Sequence, residues 1–211
     1  YPENTLVAFQ AAVDAGIRYL ELDVWLSRDG RFVVHHDITC QRTCGKQLTI
    51  TDSTLAKLKT LDAGRTFSLD EGKTFPLREQ GVSIPTLEEV LTAFPDNFFI
   101  IELKHYAPSL ESNLLDVIRH SGKEDSVLIG SVIDDALTRV RRHCRNIPTG
   151  CTRSEATKFF NALQGGTISR FRPPAEVLHL PLFHKDRSLI SPKLVQAAHS
   201  LGIEVHVWTV N

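Results

Sequence analysis

The sequence of 211 residues contains no methionine, and none of its apolar runs approaches the ~20 residues that a membrane-spanning helix needs. It also lacks a strong charge of either sign, because acidic and basic residues are interspersed and the formal net charge is −1 at pH 7. The sequence therefore has neither the basic patch typical of nucleic-acid binding nor a polybasic membrane anchor. We expect no nucleic-acid partner and no transmembrane segment.

The missing methionine also bears on where the natural protein begins. Because translation starts at methionine, we expect Tyr1 to follow an N-terminal segment that the sequence does not include. A signal peptide, if the protein has one, would lie in that segment. We expect a cytoplasmic protein, with a periplasmic or secreted location left open.

Cysteine is scarce, and its spacing does not suit a metal. The four cysteines (Cys40, Cys44, Cys144 and Cys151) include no Cys-x-x-Cys pair and no matching Cys/His spacing. This argues against a structural zinc site. We expect reduced thiols, and in an exported protein a disulfide becomes the alternative, with Cys40 and Cys44 as the nearest pair.

Two acidic residues interrupt an apolar run that is typical of a β-strand. Glu21 and Asp23 stand two residues apart in Tyr19–Leu26, so in a strand both carboxylates leave the same face. Burying two like charges costs several kcal/mol unless a positive group lies between them, and a divalent metal ion is the simplest such group. Asp29-Gly30 then predicts a hairpin that returns the chain and brings His36 close to the pair. This pattern predicts the beginnings of a catalytic site.

A second apolar run, Phe98–His105, also ends in charged residues. Glu102 and Lys104 share one face of this predicted strand. A third carboxylate would complete an oxygen-rich site for a hard cation such as Mg²⁺ or Ca²⁺, and the lysine would add a positive charge for an anionic substrate. The pattern indicates a phosphate ester as substrate.

Several short motifs follow one another in a recognisable order from the first residue to the last. They include Pro2-Glu-Asn-Thr5, Glu21-Leu-Asp23, Asp29-Gly30, His36-Asp37, Ile84-Pro-Thr-Leu87, Ile101-Glu-Leu-Lys104 and Val207-Trp-Thr-Val-Asn211. Together they resemble the glycerophosphodiester phosphodiesterase family, whose fold is a phospholipase C-like phosphodiesterase barrel. Each motif alone is a weak signal, whereas their common order and spacing make the resemblance specific.

The resemblance implies hydrolysis of a small-molecule glycerophosphodiester to sn-glycerol 3-phosphate and an alcohol, a reaction of glycerol and lipid metabolism. It implies that Glu21, Asp23 and Glu102 hold a divalent metal ion, Mg²⁺ or Ca²⁺, and that Lys104 supplements the positive field at the phosphate. The functional histidine of the family directly precedes an aspartate. This implies His36 as one member of a general acid/base pair and leaves His35 as a packed or surface imidazole.

The sequence departs from the family at both of its ends. A His-Arg-Gly motif upstream of Pro-Glu-Asn-Thr supplies the family's other catalytic histidine and a phosphate-binding arginine, and Tyr1 comes after its place. The family also continues beyond Trp-Thr-Val-Asn into a helix and a final strand. We therefore expect a fragment cut at both ends, inactive by itself, of a protein that is an enzyme when intact.

Strands and helices alternate along the chain without an internal repeat. With two strands outside the sequence, one at each end, the count reaches eight, which predicts an α/β fold and a (β/α)8 TIM barrel truncated at both ends. We expect one partial barrel domain over residues 1–211, and an open doubly wound sheet is the structural alternative. The six strands predicted within the sequence are Tyr19–Leu26, Phe98–Lys104, Val127–Ser131, Ile147–Thr152, Val177–Leu182 and Ile203–Val210.

Two further segments carry predictions about local structure. The first helix should begin at Asn4 or Thr5 and bury an apolar face of Leu6, Phe9, Val13 and Ile17 or its neighbours. The stretch at about 38–82 is polar and should be irregular apart from a short helix at Leu55–Leu61. We interpret this stretch as an insertion at the catalytic face of the barrel.

Two questions stay open at the level of sequence. Trp208, near the end of the last predicted strand, could form a wall of the cleft that binds the alcohol or could be an aromatic residue of the barrel core. The chain could also be a lysophospholipase D-type phosphodiesterase, because its metal site would look the same. A non-catalytic barrel that keeps only the anion pocket is the alternative from another functional class.

Overall fold

The computed structural model describes residues 1–105, 107, 109–184 and 187–209. They divide into two compact units, Tyr1–Val127 and Leu128–Asn211, which are described in turn. In the described part of the chain, every helix is too short or too polar to cross a membrane. A single barrel domain over residues 1–211 stays a prediction.

The first unit opens with helix α1, Leu6–Asp14. Thr5 caps it, because its Oγ1 accepts a hydrogen bond from the Ala8 amide at 3.3 Å. The predicted apolar face was wrong for Leu6 and Ile17, whose exposed fractions are 37% and 50%. The prediction is confirmed for Phe9, which is buried and packs edge-to-face on Phe94, so the buried face of this short helix is narrower than the predicted one.

The next two strands form the hairpin that the sequence predicted. Strand β1, Tyr19–Leu26, pairs antiparallel with β2, Phe32–Val34. Gly30 takes a φ of 75° in the connection, a left-handed conformation that glycine adopts without strain. The return strand therefore leads His35 and His36 back along β1.

The stretch at about 38–82 is more ordered than its polar sequence suggested. It holds two short helices, α2 (Gln41–Cys44) and α3 (Leu55–Leu58), of which only α3 was predicted. The spacing of Cys40 and Cys44, four residues apart, was the missed helical signal, and both free thiols are fully buried. They belong to a local apolar core that also includes Trp25, Ile50, Leu58 and Ile84.

The chain then forms helix α4, Leu87–Ala93, and strand β3, Phe98–Leu103. A capping box between Thr86 and Glu89 starts α4. Strand β3 runs parallel to β1, with Tyr19 opposite Phe98 and Asp23 opposite Glu102. Helix α5, Leu110–His120, follows.

The two faces of the β1–β3 pair differ in character. One face buries the apolar residues Leu20, Leu22, Val24, Phe99, Ile101 and Leu103. The other face, which we call the site face, carries Tyr19, Glu21 and Asp23 from β1 and Phe98, Ile100 and Glu102 from β3. The ionisable residues of both strands therefore share one side of the sheet.

Strand β4, Val127–Gly130, starts at the last residue of the first unit and continues into the second. Helices α6, Asp134–His143, and α7, Arg153–Gln164, follow it. The strand predicted at Ile147–Thr152 was wrong in extent, because this segment makes only two isolated parallel bridges, Ile129–Thr149 and Gly150–Val177. Pro148 has no amide hydrogen to donate, which shortens the ladder there.

The remaining elements of the second unit are strand β5 (Val177–Pro181), the hairpin of β6 (Phe183–His184) with β7 (Arg187–Ser188), helix α8 (Pro192–Ser200) and strand β8 (Glu204–Trp208). The hairpin was not predicted. Strands β5 and β8 are parallel neighbours. The predicted end of the last strand, Val210, lies outside the described residues.

The α/β class is confirmed by parallel strands that alternate with helices. The strands in the described ranges form a four-stranded sheet and two separate strand pairs, and they do not close into a barrel. The truncated barrel is therefore taken up below as a proposal.

His179 on β5 makes the stability of the second unit depend on pH. Its ring stacks on His206 at 5.2 Å between centroids, and its buried Nε2 has no hydrogen-bond partner among the described residues. Burial, with a smaller contribution from His206, lowers the pKa of His179 to about 4. The unfolded chain binds this proton near pH ~6.5, so the stability contributed by the neutral ring is full above that pH and is lost as the pH falls through about 4.

We expect the free energy of unfolding to fall by about 3 kcal/mol between about pH 7 and pH 4 through this group. His179→Gln should remove that part of the pH dependence, and the exposed His143→Gln should keep it. Denaturant unfolding at several pH values measures both. Identical pH profiles for the two variants would contradict the prediction.

Candidate active site

Three carboxylates share the site face, and two of them, Asp23 and Glu102, lie near the C-terminal end of the parallel β1–β3 ladder. Asp23 lies opposite Glu102 in the parallel ladder, and Glu21 precedes Asp23 by two residues. Glu21 is an exposed residue by its accessible surface area. Its carboxyl group is nevertheless closely surrounded by protein atoms. This burial, followed by the charges of Asp23 and Glu102, raises the pKa of Glu21 to about 8. The site therefore concentrates negative charge.

Asp23 is the most firmly held of the three. It is buried, and its Oδ1 lies 3.1 Å from Lys104 Nζ. Its Oδ2 accepts a hydrogen bond from Asn4 Nδ2 at 2.9 Å, while its amide donates to Asn4 Oδ1 at 3.2 Å. Asn4 was predicted only as a possible cap of the first helix and not as a site residue, although it belongs to the Pro-Glu-Asn-Thr motif. Lys104, predicted to face the phosphate, is the ion-pair partner of Asp23 in this structure.

His36 lies just beyond the end of the β1–β2 ladder. The amide of His35 donates to the carbonyl of Asp23 at 2.9 Å, and Trp25 Nε1 donates to the carbonyl of His36 at 3.1 Å. These two contacts hold the His35-His36 segment beside the carboxylates. The His36 side chain is about half exposed, and its Nδ1 lies 2.7 Å from Asp37 Oδ1. An exposed imidazole with one anchored nitrogen can exchange a proton at the other.

His35 is packed, as the sequence predicted for the histidine that does not reach the site. It is 4% exposed, and its two ring nitrogens lie 2.8 Å from the Asp37 carbonyl and from Thr43 Oγ1. The ring therefore connects the strand end to helix α2. The catalytic role of His36 itself stays a prediction.

Glu3 and Arg42 were not predicted as site residues. Arg42 donates to both carboxylate oxygens of Glu3, at 2.5 and 2.9 Å, and also to both oxygens of Asp37, at 2.7 and 3.1 Å. Glu3 could have been singled out from its motif, whereas an isolated arginine in a polar stretch carried no signal. A cavity of about 360 Å³ opens beside the pair, next to Tyr1 and Phe67.

Trp208, the remaining predicted site residue, belongs to the second unit. It ends β8 opposite Pro181, and its carbonyl accepts a hydrogen bond from the Leu182 amide at 3.0 Å. Its side chain is 52% exposed. An exposed indole at a strand end is available to a ligand, and its role stays a prediction.

The donor chemistry of the site face fits a hard divalent cation. Carboxylate oxygens are what Mg²⁺ and Ca²⁺ prefer, and a cation would relieve the repulsion that raises the pKa of Glu21. Within the described ranges, however, no three His, Cys, Asp or Glu side chains are close enough together to hold a metal jointly. For the three carboxylates to bind one cation, Asp23 would have to release Lys104 and bind the cation in its place.

Comparison with known proteins identifies the family. A sequence model of the glycerophosphoryl diester phosphodiesterase family matches residues 1–211. The chain belongs to this family. A glycerophosphodiester phosphodiesterase of Caldanaerobacter subterraneus is 31% identical over 219 residues, which cover all of the chain and 81% of that relative.

Two solved structures extend the comparison of this family member. A phosphodiesterase of Oleispira antarctica in complex with the product sn-glycerol-3-phosphate has a TM-score of 0.76 at 25% identity, covering all of the chain and 80% of that structure. The glycerophosphoryl diester phosphodiesterase domain of a Mycobacterium tuberculosis protein has a TM-score of 0.84 at 21% identity, covering 97% of the chain and 82% of the domain. The second likeness shows the shared fold alone.

Proposed function

We propose that the protein hydrolyses glycerophosphodiesters to sn-glycerol 3-phosphate and an alcohol. The observation that carries the proposal is the position of Asp23 opposite Glu102 on the site face, with His36 beside them, in a chain of the phosphodiesterase family. The product complex of the Oleispira relative supports the same substrate class. The activity is that of a phosphoric diester hydrolase.

The proposal includes the fold that would hold the site. We infer that the parallel strands are staves of a (β/α)8 barrel and that residues 1–211 belong to one such domain, with the 38–82 stretch inserted at the catalytic face. Support comes from the parallel pairs β1–β3 and β5–β8, each strand of which alternates with helices. Asp23 and Glu102 lie near the C-terminal end of the parallel β1–β3 ladder, and active sites of such barrels lie at the C-terminal ends of the parallel strands.

Glu21, Asp23 and Glu102 would hold a divalent cation, Mg²⁺ or Ca²⁺, which supplies Lewis-acid stabilisation of charge on the phosphoryl group when bound. Lys104 adds a positive charge beside Asp23, at 3.1 Å in this structure. His36 exchanges a proton through Nε2, because Nδ1 is engaged by Asp37. Trp208 contributes apolar surface to the cleft for the alcohol.

The deciding experiment is a product assay with glycerophosphocholine on the product of the complete reading frame. We expect sn-glycerol 3-phosphate to form, and a chelator to lower the rate by about a hundredfold or more, since Lewis-acid stabilisation contributes several kcal/mol. Added Mg²⁺ or Ca²⁺ should restore the rate. The same cation should raise the melting temperature of the wild type but not of Glu102→Gln, because a ligand of the folded state stabilises it.

Glu88→Gln serves as the matched control, because Glu88 is an exposed acid that pairs with Arg31. It should keep both the activity and the cation response. An unchanged rate in chelator would overturn the metal requirement. Turnover of lysophosphatidylcholine without turnover of glycerophosphocholine would favour the lysophospholipase D-type alternative, and no turnover of either would favour the non-catalytic barrel.

A further inference from the structure

A single guanidinium group joins two carboxylates beside the predicted acid/base histidine. Arg42 donates from Nε to Asp37 Oδ2 at 2.7 Å and from Nη2 to Asp37 Oδ1 at 3.1 Å. On its other edge it donates from Nη1 and Nη2 to the carboxylate of Glu3. Planar two-point pairing of this kind constrains orientation as well as charge, and lysine cannot reproduce it.

Asp37 connects Arg42 to His36 and thereby restricts the orientation of the His36 ring. Its Oδ1 lies 2.7 Å from His36 Nδ1, while the guanidinium occupies Oδ2 and shares Oδ1. Hydrogen bonding to Arg42, the largest cause, holds the pKa of Asp37 well below its usual range. An ionised carboxylate can only accept hydrogen bonds, so Nδ1 of His36 must be the donor. In the neutral ring this leaves Nε2 as the acceptor.

The backbone that carries Arg42 is itself held at several points. Thr66 Oγ1 donates to the carbonyls of Arg42 and Thr43 at 2.8 and 2.9 Å. The buried His35 ring connects Thr43 Oγ1 with the Asp37 carbonyl. Cys40 and Cys44, which flank Arg42 in α2, are fully buried. A half-exposed arginine with this much support is suited to hold another group in place.

We propose that Arg42 is a positioning residue that, through Asp37, fixes the ring of His36 in the tautomer with Nδ1 protonated and Nε2 directed to the reacting group. The inference rests on the proposed hydrolysis for its catalytic meaning, while the tautomer itself is a property of the protein without substrate. Glu3 completes the arrangement by holding the far edge of the guanidinium. The segment Pro2–Glu3 is thereby tied to the catalytic histidine.

The electrostatic surroundings of His36 agree with this role. Among the described residues, Asp37 on its own segment and Glu3 on the N-terminal segment interact electrostatically with His36, and Arg42 on α2 pairs with both of these carboxylates. Arg42 also lowers the pKa of Glu3, so both carboxylates keep their charge beside the guanidinium. Removing Arg42 would leave two unpaired carboxylates close to an imidazole, and Asp37 would be free to rotate toward water.

Two-bond ¹H–¹⁵N spectra of protein labelled in histidine test the inference directly. In the wild type we expect the His36 signals of the Nδ1–H tautomer. In Arg42→Met the Nε2–H tautomer, which free imidazole side chains favour, should become the major form. We also expect kcat on glycerophosphocholine to fall by about ten- to a hundredfold with little change in KM, because a misplaced proton donor slows the chemical step more than binding.

Arg31→Met is the matched control, since Arg31 is equally exposed and also pairs with a glutamate, Glu88. It should leave tautomer and kcat unchanged. Arg42→Lys keeps the charge without the two-point pairing, so its tautomer and kcat should resemble those of Arg42→Met. Thermal unfolding confirms that each variant is folded, and the lysine variant carries the test if Arg42→Met does not fold.

Three results would overturn the inference. The first is an unchanged His36 tautomer in Arg42→Met, and the second is an altered His36 tautomer in the control Arg31→Met. The third is a wild-type tautomer and kcat in Arg42→Lys. An altered tautomer with unchanged kcat would show that Arg42 has no positioning role in the reaction. A wild type without any hydrolase activity would instead refute the proposed function, and the spectra would still report whether Arg42 sets the tautomer.

Discussion

His36→Ala is expected to lower kcat on glycerophosphodiesters by about 10²–10⁴-fold, the usual contribution of a general acid or base. The side chain is half exposed and makes its side-chain hydrogen bond to Asp37, so its loss should leave stability nearly unchanged. Steady-state kinetics with glycerophosphocholine and a denaturation curve of the same preparation measure the two effects separately.

The neighbouring histidine provides the contrast. His35→Ala removes a buried ring that holds the Asp37 carbonyl and Thr43, and we expect a loss of about 1–3 kcal/mol in stability with a smaller effect on kcat. His120→Ala, on the exposed end of α5, should change neither. Equal losses of kcat in folded His35→Ala and His36→Ala would refute the assignment.

Asp23→Asn is expected to lower the free energy of unfolding by about 2–4 kcal/mol, because it leaves Lys104 without its partner in a largely buried site. Asp23 is 8% and Lys104 22% exposed at the side chain, so water compensates only in part. The variant should also lose activity and the stabilisation by divalent cations. Urea denaturation with a constant m-value measures the change in stability.

The double variant Asp23→Asn, Lys104→Met distinguishes a lost ion pair from a lost side chain. It should recover most of the stability, since neither buried charge remains, but none of the activity. Asp116→Asn changes an exposed acid 3.7 Å from Arg119 and should cost less than about 0.5 kcal/mol. A double variant as unstable as Asp23→Asn would show that the aspartate acts through Asn4 and not through Lys104.

Local sequence signals predicted those parts of the fold that depend on neighbouring residues. Asp29-Gly30 predicted the β1–β2 hairpin because a left-handed glycine closes such a connection. The start of α4 also depends on neighbouring residues, because Thr86 and Glu89 each cap the other's backbone. The β6–β7 hairpin and the shortened ladder at Thr149 were missed, since short pairings carry little periodicity.

The candidate site divides in the same way. Glu21 and Asp23 could be assigned to one face from their two-residue spacing, and Glu102 could be added from the matching strand end. The pairing of Lys104 with Asp23 was missed, because the lysine was assigned to the substrate when no partner was visible along the sequence. Asn4 and Glu3 lay in a recognised motif but had no assigned contact.

The family, the α/β class and the set of ionisable residues could all be predicted before folding was considered, because they follow from motif order, periodicity and residue type. Which of the charged groups pair with one another could be seen only in the folded chain. Glu3 and Arg42 are 39 residues apart, and Asp23 and Lys104 belong to different strands. Such contacts join segments that are distant in sequence and are brought together by folding. Their strength depends on burial, because a charge pair is stronger where water is excluded. No local sequence pattern encodes the pairing of distant residues or their burial.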